Sequence, residues 1–214
     1  MVNITKGKFG FWFLWLSLIC VIVYVLQLVI SGFTDLFVLN LKAVYEFQIW
    51  RFVTAIFLHG SVVHLLYNLF ALLLFGLILE KLIGSRNFLI VFFASGIVGN
   101  IIGVNFYQSS LGASGAIYGV IGCITIVNPM MMVWAFGLLV PMFVAAILWV
   151  AGDIMGVFGF GGKDVGYVAH LSGVIIGIVF GLVFRVLYVK KKNREERIEI
   201  PDSYVKDWEN YYLK

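Results

Sequence analysis

The sequence predicts an all-α, polytopic membrane protein built as a bundle of six transmembrane helices. Three observations carry that expectation. Of 214 residues, 62% are hydrophobic and only 12% charged, whereas soluble domains run at about 45–50% apolar and about 25% charged. Mean hydropathy is +1.03. The apolar residues also fall in long runs, as expected of a chain whose solvent is a bilayer. This composition excludes an ordinary soluble enzyme and excludes intrinsic disorder. Three prolines and two cysteines exclude collagen-like and disulfide-stapled classes. Cys20 and Cys123 both sit in apolar runs and read as reduced packing residues.

The first apolar run, 9–31, is too long for a signal peptide and is followed by no small-residue cleavage site, so it reads as a true first helix. The connection 32–57 carries Phe33, Phe37, Tyr45, Phe47, Trp50, Phe52 and Phe57. Aromatic rings favour the membrane interface, so it is expected to lie partly there. The second and third spans are expected over 58–79 and 87–106, and the fourth over 113–128, where Asn128-Pro129 ends it. The fifth is expected over 130–150, with Trp134 and Trp149 as interface anchors. A flexible, glycine-rich external loop over 152–166, holding Asp153 and Asp164, then leads to the sixth span, 167–189. Residues 1–189 thus form the membrane domain and 190–214 a charged tail. The tail's Trp208, Tyr211 and Tyr212 either touch the membrane surface or are disordered.

Charge orients the bundle. Lys6, Lys8, Lys81, Arg86 and the cluster Arg185, Lys190, Lys191, Lys192, Arg194 and Arg197 collect on one side. Only Lys42, Arg51 and Lys163 fall on the other. By the positive-inside rule both termini are cytoplasmic, in a multi-pass protein of the cell membrane. The net charge of +4 gathers at helix ends and in the tail and does not indicate a nucleic-acid partner.

Polar groups inside hydrocarbon are costly, and an ionisable one there points to function. His64 and Asn68 lie in the second span, Asn100 in the third, Ser114 and Tyr118 in the fourth, His170 in the sixth and Gln27 in the first. Gln27 and Asn100 read as interhelical hydrogen-bond donors. The second, fourth and sixth spans all enter from outside, and Ser114, His64 and His170 sit within the outer third of the membrane, with Asn68 one turn deeper. A fourth span of about 16 residues covers about 24 Å of a core about 30 Å thick. Ser114 is then submerged, and Gln108–Gly112 must follow it. Irregular backbone at that depth is tolerated only around a protein-lined or water-filled cavity, so a wet pocket open to the outside is expected.

Gly112-Ala113-Ser114-Gly115 opens the fourth helix with small residues around a hydroxyl. The unpaired N–H groups and positive dipole of a helix start suit an oxyanion. A serine nucleophile needs a base, and His170 is the one at that depth. Gly173, Gly177 and Gly181 on the sixth helix, with Gly115, Gly119 and Gly122 on the fourth, allow close helix packing. No carboxylate is expected inside the membrane near this site, which leaves a serine–histidine dyad. Tyr118 is placed to stack on the imidazole. His64 and Asn68 share a helix face and are candidate oxyanion donors. A zinc protease would need His-Glu-x-x-His, and an intramembrane aspartyl protease two membrane aspartates; neither pattern occurs. A channel is disfavoured because the polar groups do not continue to the cytoplasmic side. A non-catalytic binder is disfavoured by the intact dyad. No cofactor or metal is expected.

In order along the chain, Trp50-Arg51, His59–Asn68 (HGSVVHLLYN), Glu80–Arg86 (EKLIGSR), Gly112–Gly115 (GASG) and Ala169-His170 with Gly173 and Gly177 resemble the motifs of the rhomboid intramembrane serine proteases. The resemblance covers about residues 9–189 and points to the minimal six-helix form. It implies Ser114 as nucleophile and His170 as general base. It implies an oxyanion hole of His64, Asn68 and the Ser114 backbone N–H, and Tyr118 packed on His170. Gly112, Gly115 and Gly173 would support the site. The implied activity is cleavage of single-span membrane proteins near the outer face. The fifth span and the loop after it would serve as gate and cap.

Overall fold

Apolar helices dominate the computed structural model, which describes residues 9–135, 137–162, 165–195 and 202–213. Helix α1 (Trp12–Val29) has no cap from its own sequence. Its first N–H groups are met from elsewhere: the Glu80 carboxylate accepts from Gly10, Trp12 and Phe13 at 3.1–3.2 Å. Glu80 is fully buried, and the Ser85 hydroxyl donates to it at 2.6 Å. A carboxylate at a helix start suits both the orphan donors and the dipole.

The aromatic connection folds into three short helices, α2 (Phe33–Phe37), α3 (Leu41–Tyr45) and α4 (Arg51–Thr54), and a 3₁₀ turn over Ala55–Phe57. Arg51 donates to the carbonyls of Asp35 and Val38. Tyr45 and Phe47 stand exposed. Helices α5 (Val62–Ala71) and α6 (Leu77–Ile83) join through a π-helical turn, Leu72–Gly76, and Ser61 caps α5 by accepting from the His64 N–H. Gly84, at φ +81°, turns the chain into α7 (Ser85–Gly103).

Helices α8 (Ser114–Val127) and α10 (Tyr167–Glu195) form the centre with α7. Their glycines pack backbone to backbone: a Cβ on Gly173 would overlap the Gly115 carbonyl, and one on Gly177 the Gly119 carbonyl. The core around them holds Phe88, Phe92, Ile117, Val120, Cys123 and Ile124. Both cysteines are free and buried.

Four helices are long and apolar enough to cross a membrane: Trp12–Val29, Val62–Ile83, Ser85–Gly103 and Tyr167–Leu187. Two apolar helices are shorter, α8 and α9 (Met142–Val157). The expected fifth span, 130–150, is corrected. Its first half is an antiparallel hairpin, β1 (Met132–Ala135) with β2 (Leu138–Pro141). Alternating burial along β1, a turn through Gly137 at φ +75° and Pro141 before the helix explain the change. Helix α9 is therefore displaced toward the C-terminus. Asp153, expected in an external loop, lies on α9 and is 5% exposed. Gly152 and Gly156 are helical as well, so the loop begins only after Val157.

Trp149, expected as an interface anchor, is half-buried, and its ring meets Phe75 edge-on at 5.5 Å. Trp134 is exposed. Gln27 and Asn100 donate between helices as expected: Gln27 on α1 donates to the Thr34 hydroxyl on α2 and also exchanges bonds with the His59 backbone, and Asn100 on α7 donates to the Phe52 carbonyl on α4. Helix α10 runs on through Glu195, across the expected domain boundary at 189–190. In the tail, α11 (Asp202–Tyr212) is helical, with Trp208, Tyr211 and Tyr212 exposed. Lys6, Lys8, Lys163, Asp164 and Arg197, used in the charge and loop expectations, lie outside the described residues.

Candidate active site

Helix ends make the site: the starts of α5, α8 and α10 and the last turns of α9 come together. Ser114 is the first residue of α8. The strand-like segment before it is anchored, because Leu39 and Ser110 bridge and the Gly112 N–H donates to the Ala55 carbonyl at 2.9 Å. Ser110 also donates to the Asn100 side chain at 2.9 Å. The approach to the serine is thus a fixed stretch of irregular backbone held by protein.

His170 reaches Ser114 directly, with Nε2 2.7 Å from Oγ. The register comes from the glycine interface, since Gly173 on Gly115 lies one turn beyond His170 and one residue beyond Ser114. Tyr118, one turn into α8, stacks on the imidazole with centroids 4.3 Å apart and planes 12° apart. His170 itself is buried.

The His64 ring lies across Gly112, where a Cβ would sit 2.7 Å from Cε1 and 2.9 Å from Nε2. Gly112 also has φ +116°. Only glycine meets both demands. Asn68 is buried, and one amide proton is given to the His64 carbonyl at 2.9 Å. Asn68 therefore orders the turn of α5 that carries His64, and no bond from it to Ser114 is present among the described residues.

Two residues have more weight than the sequence indicated. His59, expected at an external boundary, is 1% exposed and meets His64 edge-on at 5.2 Å. Its Nδ1 lies 3.1 Å from the Phe57 carbonyl. It stands between α4 and α5. Burial first, and then the adjacent His64, push its pKa down to about 4 against the opposing pull of that carbonyl. The other is Asp153, whose carboxylate lies 3.3–3.4 Å from His170 Nδ1. The expectation of no carboxylate near the site is corrected by it. One signal was available: Ile154, Met155 and Val157 continue the apolar run past Asp153. Among the described residues no three His, Cys, Asp or Glu side chains converge as a metal site.

The arrangement holds a hydroxyl against an imidazole, beside the unpaired N–H groups of a helix start and a second histidine. That is the equipment of acyl transfer through a serine nucleophile.

The profile of the Rhomboid domain matches residues 46–186. The chain is similar to "Rhomboid-like protease 3" of Toxoplasma gondii, 36% identical over 118 residues, covering 50% of this chain and 45% of that protein. It is similar to "RHOMBOID-like protein 6, mitochondrial" of Arabidopsis thaliana, 30% identical over 150 residues, covering 66% and 46%. It is similar to "Rhomboid protease GlpG" of Haemophilus influenzae, 30% identical over 175 residues, covering 78% and 88%. The match spans about half the length of the first two relatives and most of the third.

Proposed function

The chain belongs to the rhomboid family, and we propose that it is an intramembrane serine endopeptidase with Ser114 as nucleophile and His170 as general base. The observation that carries this reading is the 2.7 Å approach of His170 Nε2 to Ser114 Oγ at the start of α8. Ser114 attacks a peptide carbonyl, its proton passes to His170 Nε2, and the carbonyl electron pair moves onto oxygen. The Ser114 backbone N–H, His64 and Asn68 receive that charge. His170 then returns the proton to the leaving amine, and water repeats the sequence on the acyl-enzyme. No cofactor enters these steps.

The substrate is a single-span membrane protein, unwound locally before attack because helical carbonyls are already hydrogen-bonded. It arrives from the lipid past α9, while water arrives from the outer face. Six spans, with α8 and α9 completing the four long helices, put both termini in the cytoplasm of a multi-pass cell-membrane protein. Lys81 in the last turn of the second span, Arg86 at the start of the third and Arg185 near the end of the sixth support that orientation.

The test compares wild type with Ser114→Ala in detergent, using a fluorophosphonate probe and a single-span transmembrane substrate. Both labelling and cleavage are expected to vanish in the variant, with the melting temperature retained. Labelling that persists on another serine overturns the assignment.

A further inference from the structure

We propose that Asp153 is a positioning residue for His170, so that Ser114, His170 and Asp153 act as one hydrogen-bonded line drawn from three helices. The inference rests on the reading of Ser114 and His170 as nucleophile and base, and extends it to a residue on α9.

The carboxylate sits in the least hospitable place for one. Asp153 is 5% exposed on an apolar helix, and a buried ionised group is costly unless paired. Among the described residues its partner within ion-pair distance is His170 Nδ1, 3.3 Å from Oδ2 and 3.4 Å from Oδ1. The Tyr118 hydroxyl interacts with the same carboxylate.

A carboxylate only accepts, so the imidazole proton facing it belongs on Nδ1. That leaves the Nε2 lone pair directed at Ser114 Oγ, 2.7 Å away. This tautomer is the one a general base needs. When Ser114 attacks, the Oγ–carbon bond forms, the carbonyl pair moves to oxygen and the hydroxyl proton goes to Nε2. The resulting imidazolium then faces Asp153, which keeps its charge and takes no proton.

The contact is built by helix spacing rather than by chance proximity. Asp153 and Gly156 are three apart on α9, and Tyr167 and His170 are three apart on α10, so each pair shares a face. The Tyr167 ring lies on Gly156, where any Cβ would overlap it, and also on Gly161. Tyr167 also stands edge-on to His170 at 6.4 Å. The bare Gly156 thus lets α9 close onto α10 at one rung and brings Asp153 to His170 at the next. Groups facing His170 are Asp153 from α9, Ser114 and Tyr118 from α8, Tyr167 from α10 and His64 from α5. From α7, Gly99 and Gly103 lie against Ala169 and bring no charge. Asp153 is the one carboxylate among them.

The experiment measures kcat, KM and the pH profile of the full chain in detergent with a single-span transmembrane substrate, for wild type, Asp153→Asn and Asp153→Glu. Melting temperature and fluorophosphonate labelling are read on each. Asp153→Asn is expected to lower kcat by about 10²- to 10⁴-fold with KM little changed. Its acidic limb should move to lower pH, because the imidazolium loses the carboxylate facing it. Asp153→Glu should recover part of kcat and the wild-type limb. An Asn variant with wild-type kcat and limb overturns the proposal. So do a folded, inactive Glu variant or a kcat loss with an unmoved limb, either of which makes Asp153 a packing residue. Should the Asn variant fail to fold, the Glu variant decides alone: activity with the wild-type limb supports the proposal, and inactivity overturns it. A Ser114→Ala control that still cleaves would instead overturn the underlying site assignment.

Discussion

An oxygen that becomes an oxyanion beside Ser114 gains most from donors already aimed and held. His64 is held by its contact with Gly112, and Asn68 by its bond to the His64 carbonyl. Asn68→Ala is expected to lower kcat by about 10²–10³-fold, as loss of one such donor does elsewhere, with KM nearly constant. His64→Ala should act in the same direction. An effect confined to KM would make both residues substrate contacts. Gly112→Ala is expected to lower kcat through a different route, by displacing the His64 ring and straining a backbone at φ +116°. A crystal structure showing His64 unmoved in that variant would refute the route. Ser114, His170, His64, Asn68 and Tyr118 could all be singled out as candidates in the sequence, because polar residues in apolar runs stand out, and the contacts of Ser114 and Tyr118 with His170 are as expected. Asp153 was not. Its neighbour Gly152 and the glycines after it resemble a loop, and only the tertiary contact of Gly156 with Tyr167 shows why a glycine is needed inside that helix.

Among the elements, α1 depends on a side chain 67 to 70 residues away in the chain. Glu80→Ala strips the Trp12 and Phe13 N–H groups of their acceptor, while Gly10 keeps the Ser85 hydroxyl at 2.7 Å, and a buried donor left bare costs about 1–3 kcal/mol. The melting temperature is expected to fall markedly. Glu80→Gln, which keeps an acceptor oxygen, should fall less; equal melting temperatures for all three proteins would mean that the cap contributes nothing. Helix α9 is held differently, with the Trp149–Phe75 contact on one side and the Asp153 and Gly156 rungs on another. An aromatic pair is worth about 0.5–1.5 kcal/mol beyond its buried area. Trp149→Ala should therefore loosen α9 and keep or raise cleavage of a transmembrane substrate, without raising the labelling rate of a small fluorophosphonate. Parallel increases in both would point to the serine itself rather than to entry. The four long helices were legible from hydropathy alone. The hairpin before α9 was not, because Met132–Pro141 is as apolar as a span. Its Gly137 turn and Pro141 are local signals that an overall apolar count averages away.

For the whole molecule, the proposed entry route separates two classes of reactant. On that proposal water and small probes would reach Ser114 from the outer face, whereas a membrane substrate would have to pass α9. Linking Trp149→Cys to Phe75→Cys with a short bifunctional maleimide is expected to abolish cleavage of a full-length transmembrane substrate and to spare fluorophosphonate labelling. Normal cleavage by the linked protein would remove α9 as the gate. Orientation is open to a simple measurement as well. Tags at the two ends of the chain should resist protease added outside intact cells, and digestion of either would reverse the assignment.

The glycine contact between α8 and α10 also bears on how the protein responds to the thickness of its bilayer. Helix α8 has 14 residues, about 21 Å at 1.5 Å per residue, against a hydrocarbon core about 30 Å thick. It is too short to adjust by itself, and α10 is longer than the core requires. Backbone locked to backbone at Gly115–Gly173 and Gly119–Gly177, the two tilt as one body. Mismatch with a thinner or thicker lipid is then taken up by tilt and by local deformation of the bilayer. The Ser114–His170 separation is then expected to hold across bilayers, and any dependence of the proposed activity on lipid chain length to arise at α9, whose seating on α10 involves one glycine rung and one carboxylate.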